Sequence, residues 1–237
     1  MSPGRQAPLR PLRRALLIGL SLSGAAALGI WPARLHSQEE GASSAHEPAS
    51  TTATEARAIL YEDDLCGAGG GRFPGSIRWN AEAESSGADR ALEMVVRAGV
   101  TIPERGMTLR LSLRHSDDPP LGASHTIDLL FLLPPHFPHG GIRDIPAITM
   151  KRREEWRGDP LKAVAAKVSR DYFTFGLSGV EMDKKVNLYL LKEWKWFDVL
   201  IIYDDGKRAI MAFEKGPSGD RAFGEAFAVW DNPGTRR

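Results

Sequence analysis

Two runs of apolar residues spaced two apart, separated by one proline-to-glycine break, decide most of what this chain can fold into. Over 92–102 the residues Leu92, Met94, Val96, Ala98, Val100 and Ile102 alternate with their neighbours. That is the period of a half-buried strand and is wrong for a helix. Pro103-Glu104-Arg105-Gly106 interrupts the run. Met107, Leu109, Leu111 and Leu113 then resume it against Thr108, Arg110, Ser112 and Arg114. Joined by a short glycine-containing turn, the two runs predict an antiparallel hairpin with one solvated face.

Other segments read the same way. Residues 76–81 alternate around Ile77 and Trp79, and 126–133 (TIDLLFLL) is apolar enough to predict a strand buried on both faces. Pro134-Pro135 ends it and opens a rigid, turn-rich loop over 134–141. A short strand is expected over 145–150, and a hairpin over 165–169 and 172–178 turning at Arg170-Asp171. A second hairpin is expected over 197–203 and 209–213, turning at Asp204-Asp205-Gly206. Ser178 and Glu181 have capping-box spacing and predict a short helix start. From about Asp220 the residues Ala222, Phe223, Ala226, Phe227 and Trp230 share one helical face. No strand–helix–strand alternation appears. The predicted fold class is all-β with minor α: an antiparallel β-sandwich or curled barrel with a C-terminal amphipathic helix.

The N-terminus has a different character. Arg5, Arg10, Arg13 and Arg14 precede the uncharged apolar run 15–31 (ALLIGLSLSGAAALGIW). A basic stretch before a short apolar one is the pattern of a bacterial-type export signal, and the run is just long enough to be a retained anchor. Residues 1–35 are therefore expected to be a signal peptide or a membrane anchor helix. Residues 36–58, poor in large apolar side chains, are expected to be a disordered linker. The globular domain is expected over 59–230, with a tail over 231–237. The localisation that follows is periplasmic, by secretion after cleavage or by anchoring to the inner membrane through 15–31.

The chemistry-bearing residues are sparse. Cys66 is the single cysteine, so neither an intramolecular disulfide nor a cysteine-cluster metal site is available. A formal net charge of +1 offers no case for nucleic acid. His125, His136 and His139 are the candidate metal ligands, lacking a placeable carboxylate. Trp194, Trp196 and Phe197, interleaved with Lys192 and Lys195, are an aromatic cluster suited to a partner interface or to packing at a sheet edge. Gly176-Leu177-Ser178-Gly179-Val180 misses the nucleophile elbow at Val180, and the glycines from Gly67 to Gly71 lack the flanking features of a phosphate loop. No catalytic residue and no cofactor is indicated.

A set of short motifs runs through Leu60-Tyr61-Glu62-Asp63, Gly75-Ser76-Ile77-Arg78-Trp79, Ala123-Ser124-His125-Thr126, residues 162–168 and Gly176-Leu177-Ser178. It continues in Leu190-Leu191-Lys192-Glu193, Trp196-Phe197-Asp198 and Glu214-Lys215-Gly216. In these motifs the chain resembles an uncharacterised family of alphaproteobacterial, chiefly rhizobial, exported or membrane-anchored proteins. The resemblance implies no activity. More remotely, the order of strand, Leu-Leu-Pro-Pro turn, late hairpin and terminal helix is similar to the invasion-associated locus B proteins, which usually have paired cysteines. The expectation is an extracytoplasmic protein-binding or scaffolding module of the cell envelope. Its partners would be another envelope protein and the membrane through the N-terminal segment. The alternative is a hydrolytic or metal-assisted envelope enzyme using His125, His136 and His139.

Overall fold

The computed structural model describes residues 56–63, 70–85, 92–116 and 122–232. The expected signal or anchor, most of the expected linker, Cys66 and residues 233–237 lie outside them. The described residues fall in one unit, Ser50–Arg237. Along the chain run β1 (Ala56–Glu62), β2 (Gly71–Ser85), β3 (Leu92–Ile102), a 3-10 turn (Pro103–Arg105), β4 (Met107–His115) and β5 (Ala123–Leu132). Next come β6 (Ile142–Asp144), β7 (Ile148–Lys151), β8 (Asp159–Pro160), β9 (Ala163–Ser169) and β10 (Tyr172–Ser178). The chain closes with α1 (Glu181–Glu193), β11 (Trp196–Tyr203), β12 (Arg208–Glu214) and α2 (Gly216–Trp230).

The choice between sandwich and barrel resolves to one antiparallel sheet, curled into a half-barrel. Its strand order is β8-β7-β11-β12-β1-β2-β3-β4-β5-β10-β9, with β6 also on β11. Laid flat, strands about 4.8 Å apart would separate β8 from β9 by about 48 Å. Yet only Leu161 and Lys162 join them, and that link spans at most about 11 Å. The sheet therefore has to curl. Side chains tie its two ends: Lys167 Nζ donates to the carbonyls of Ile142 (2.8 Å) and Arg143 (3.1 Å), and Asp171 Oδ1 accepts from the Ile142 N–H (2.7 Å). Asn187 of α1 bonds both the N–H (2.8 Å) and the carbonyl (2.9 Å) of Lys162.

Alternation sorts the side chains. Leu60, Ile77, Trp79, Val100, Leu111, Leu129, Phe173, Phe197, Met211 and Phe213 face the inside and belong to one buried cluster. The amphipathic helix α2 lies across it. Trp79 meets Phe197, Phe213 and Phe223 at ring-centroid distances of 5.6, 6.1 and 5.3 Å. Indole N–H groups find carbonyls: Trp79 donates to Glu214 (3.0 Å) and Trp230 to Met94 (3.1 Å). The helix starts at Gly216, a turn before the expected Asp220, and buries the expected face.

The expected β3–β4 hairpin forms, with Ile102 opposite Met107. Gly106 takes φ +57° there, a left-handed position that glycine occupies without strain. Gly75 has no room for a side chain: a Cβ would lie 2.2 Å from the Thr101 carbonyl oxygen. Three expectations need correction. The domain begins inside the expected linker, because Ala56 and Ala58 are buried β1 residues. The 126–133 strand is not buried on both faces; Asp128 and Leu130 are half-buried and Leu132 is exposed, since only the inner face is covered. Ser178 does not cap α1 in a capping box; its Oγ donates to Asp183 (2.8 Å), while Glu181 pairs with Lys185.

Phe227 is 6% exposed and Glu225 is exposed on the other side of α2. By chemical denaturation, Phe227→Ala is expected to cost about 3–5 kcal/mol, and Glu225→Ala less than about 0.5 kcal/mol.

Candidate functional site

Chemistry-bearing side chains gather at one end of the half-barrel, where β1, β11, the β11–β12 turn, the 3-10 turn and the 134–141 loop meet. In β1 the inward positions are Ala56, Ala58, Leu60 and then Glu62, so the strand's period carries a carboxylate onto the apolar face. Arg105 from the 3-10 turn pairs with both Glu62 oxygens, and its guanidinium lies 3.8 Å from the Phe73 ring centroid. Tyr203, the last inward residue of β11, donates its hydroxyl to Glu62 Oε1 (3.1 Å). His139 stacks on the Tyr203 ring at 4.6 Å, with Nε2 3.6 Å from Glu62 Oε2 and Nδ1 2.7 Å from Asp205 Oδ2.

The electrostatics follow from this packing. Burial, reinforced by the Glu62 charge, pushes the Tyr203 phenol well above its ordinary range. Burial also pushes Asp205 upward, but the Lys207 N–H and His139 outweigh it and hold its carboxyl below the usual range. A small recess of about 270 Å³, lined by Glu62, Asp63, Gly71, Arg105, His139, Tyr203 and Lys207, opens beside the cluster. No serine, threonine or cysteine lines it among the described residues.

The three candidate metal ligands do not converge. His125 lies near the start of β5 and His139 beyond its end, about 20 Å of strand away. His136 is exposed. His125 is buried against Trp230 and Phe227, at 5.1 and 6.4 Å between ring centroids, with its Nε2 lacking a hydrogen-bond partner. Burial, aided by His115 and Lys184, pushes it down to about 3, so its ring is neutral at physiological pH. Among the described residues no group of three or more His, Cys, Asp or Glu side chains is placed to hold a metal. The carboxylates the sequence could not place are Glu62 and Asp205, and they surround His139 alone.

Neither do Trp194, Trp196 and Phe197 form one strip. Adjacent strand residues point to opposite faces: Phe197 stacks inside on Phe213 (5.3 Å), while Trp196 faces outward beneath Arg57 (5.1 Å). Both are almost wholly buried. Trp194 precedes the strand, half-buried under Arg152.

Trp196 is covered by Arg57 and by Lys151, whose ammonium lies 6.0 Å from its ring, beside the segment that follows β7. Glu154 is the clamp. Its carboxylate accepts from the Tyr61 hydroxyl (2.7 Å) and Arg57 (3.2 Å) and lies 3.6 Å from Arg72. Lys151 donates to the Glu154 carbonyl (2.5 Å) and pairs with buried Asp198 at 2.8 Å. Beyond the clamp the outer face opens into a groove of about 610 Å³. Tyr61, Pro146, Leu200, Ile202 and Ile210 supply its apolar lining, with Arg72 and Arg208 at its margin. Glu62 and Asp63 line both groove and recess. Sequence reading missed this groove, although the outward series Leu200, Ile202 and Ile210 was a signal: apolar residues where a solvated face should carry polar ones.

No protein-family model, curated protein or solved structure matches the chain.

Two expected outcomes test this account. Glu62→Gln leaves Arg105 facing a neutral amide and is expected to cost about 1–3 kcal/mol in denaturant titrations. Lys215 is fully buried, donates to the Leu191 carbonyl at the end of α1, and is pushed down to about 7 by burial. Above that value the unfolded chain binds the extra proton, up to the ordinary lysine range near 10.5. Stability from this group therefore rises with pH between about 7 and 10.5. Wild type measured against Lys215→Met should show this rise, and the variant should lack it.

Proposed function

We propose that this chain is an extracytoplasmic binding domain of the cell envelope, a scaffold rather than a catalyst, and that the outward groove receives its partner. The observation that carries this reading is the groove itself: an apolar concavity of about 610 Å³ on the outer face of the sheet. Pockets of roughly 300–1,000 Å³ with apolar walls and few polar groups are the usual form of a ligand site. The acid–histidine cluster supports the same conclusion from the other side. Glu62, Arg105, Tyr203, His139 and Asp205 are already partnered with one another, as a structural network would be. The basic residues before the apolar run 15–31 support export, with retention at the inner membrane or release after cleavage as its two forms. The resemblance to exported alphaproteobacterial proteins points the same way.

A hydrolytic reading retains one supporting observation, His139 held between Asp205 and Glu62. Its other two histidines lie elsewhere, and its recess offers no ordinary nucleophile among the described residues. The two readings separate by mutation. Immobilised full chain is expected to retain a component of envelope extract, and Ile210→Arg, which fills the groove with a charge, is expected to reduce that retention at least about tenfold. His139→Ala should leave it intact. Retention indifferent to Ile210→Arg and lost in His139→Ala would move the function to the cluster.

A further inference from the structure

The helix α1 is apolar on two sides. Leu190 and Leu191 are buried in the core, yet Met182, Val186 and Tyr189, spaced by four and three, form a stripe on the solvent side at 71, 39 and 50% exposure. A surface helix ordinarily keeps that side polar. The stripe continues beyond the helix. The Tyr189 hydroxyl accepts from Arg152 (3.3 Å), which opens the turn between β7 and β8, and in that turn Trp156 is 51% exposed. Every other described tryptophan is buried or half-buried. The turn is well fastened. Glu154 ties it to Arg57, Tyr61 and Arg72, and the Trp156 N–H donates to the Arg153 carbonyl (3.2 Å). The fold therefore displays this ring.

Position points to what covers it. β7 ends, β11 starts, β12 ends and β1 starts at one end of the sheet: Lys151 lies opposite Trp196, Trp196 opposite Glu214, and Ala58 opposite Phe213. The chain thus enters the domain beside the turn, where Arg57 reaches Glu154, and the apolar run 15–31 lies upstream of that entry. The charges around the turn and the stripe nearly balance. Exposed Arg57, Arg152, Arg153, Arg157 and Lys185 stand against exposed Glu155, Asp159 and Glu181 and half-buried Glu154. Such a balance does not select a polyanion. It suits a phospholipid headgroup layer, where phosphate stands beside ammonium, tryptophan and tyrosine rings rest at the boundary, and arginine forks phosphate oxygens. Neither the groove nor the recess is lined by Trp156, Met182, Val186 or Tyr189. A bilayer asks for no concavity.

We infer that the face formed by Trp156, Tyr189, Val186 and Met182 rests on a phospholipid bilayer, the one that holds the N-terminal apolar run. This rests on that run being a retained membrane segment, and it is independent of the groove as the partner site.

The test uses the full chain with Cys66→Ser, reconstituted into vesicles of phosphatidylethanolamine and phosphatidylglycerol that carry a headgroup nitroxide quencher. A fluorophore is placed on Glu155→Cys beside Trp156, or on Glu225→Cys on the exposed side of α2. Quenching is expected at 155 and not at 225. Trp156→Ser with Met182→Ser should return the signal at 155 to the level at 225, while the chain still floats with the vesicles and melts as the parent does. Equal quenching at the two positions, or quenching at 155 that survives the double variant, overturns the inference. If 155 is silent and the double variant instead loses a component of envelope extract, the face is a protein interface and the bilayer falls. A chain that does not float with vesicles removes the membrane segment and the docked face together, and leaves the groove reading standing.

Discussion

The short link through Leu161 and Lys162 governs the architecture. It joins strands that stand at opposite ends of the sheet order, and only curling lets so few residues connect them. Curling in turn creates an interior that must be filled, and α2 fills it with Phe223 against Trp79 and Phe197 and with Phe227 and Trp230 against His125. The same link makes α1 a brace, because Asn187 bonds both polar groups of the Lys162 backbone at the turn between the two ends. The Lys162 carbonyl also accepts from the Ser178 N–H at 2.8 Å, so α1 and β10 both hold the link.

Polar chemistry is confined to the margins of this arrangement. At the open end Glu62, Arg105, Tyr203, His139 and Asp205 close the core with mutually satisfied groups. On the outer face Glu154 ties the segment after β7 to Arg57, Tyr61 and Arg72, beside Trp196 and the Lys151–Asp198 pair. Burial raises the Asp198 carboxyl above its usual range and Lys151 opposes that, so the clamp works as a unit rather than as separable contacts. What the clamp leaves uncovered is the groove. Two neighbouring stretches of one sheet face thus differ in fate because one has a loop over it and the other does not.

Local structure was legible in the sequence wherever the period was clean. The β3–β4 hairpin, the β9–β10 and β11–β12 hairpins and the buried face of α2 follow from spacing and turn residues, because each depends on neighbours close in the chain. The curl was legible only as one of two alternatives, sandwich or curled barrel: the choice between them is a property of strand order, and order depends on pairings between distant segments. The site suffered for the same reason. Nothing near Glu62 or Asp205 in the sequence shows that the strand end places one beside His139 and that the hairpin tip places the other there. The aromatic cluster at 194–197 misled in the opposite sense. Adjacency in sequence suggested a shared surface, whereas the pleat sends Trp196 and Phe197 to opposite faces.

The pairing of β1 with β12 carries a consequence in time. Ala58 lies opposite Phe213, so the strand that opens the domain finds one of its two neighbours only near the end of the chain. Pairings between such distant segments form late, because a long loop must close before any contact rewards the closure. A chain delivered N-terminus first would expose one edge of β1 through the arrival of ten other strands. The domain therefore stays unfinished, with that edge unpaired, until its last hairpin and α2 are present.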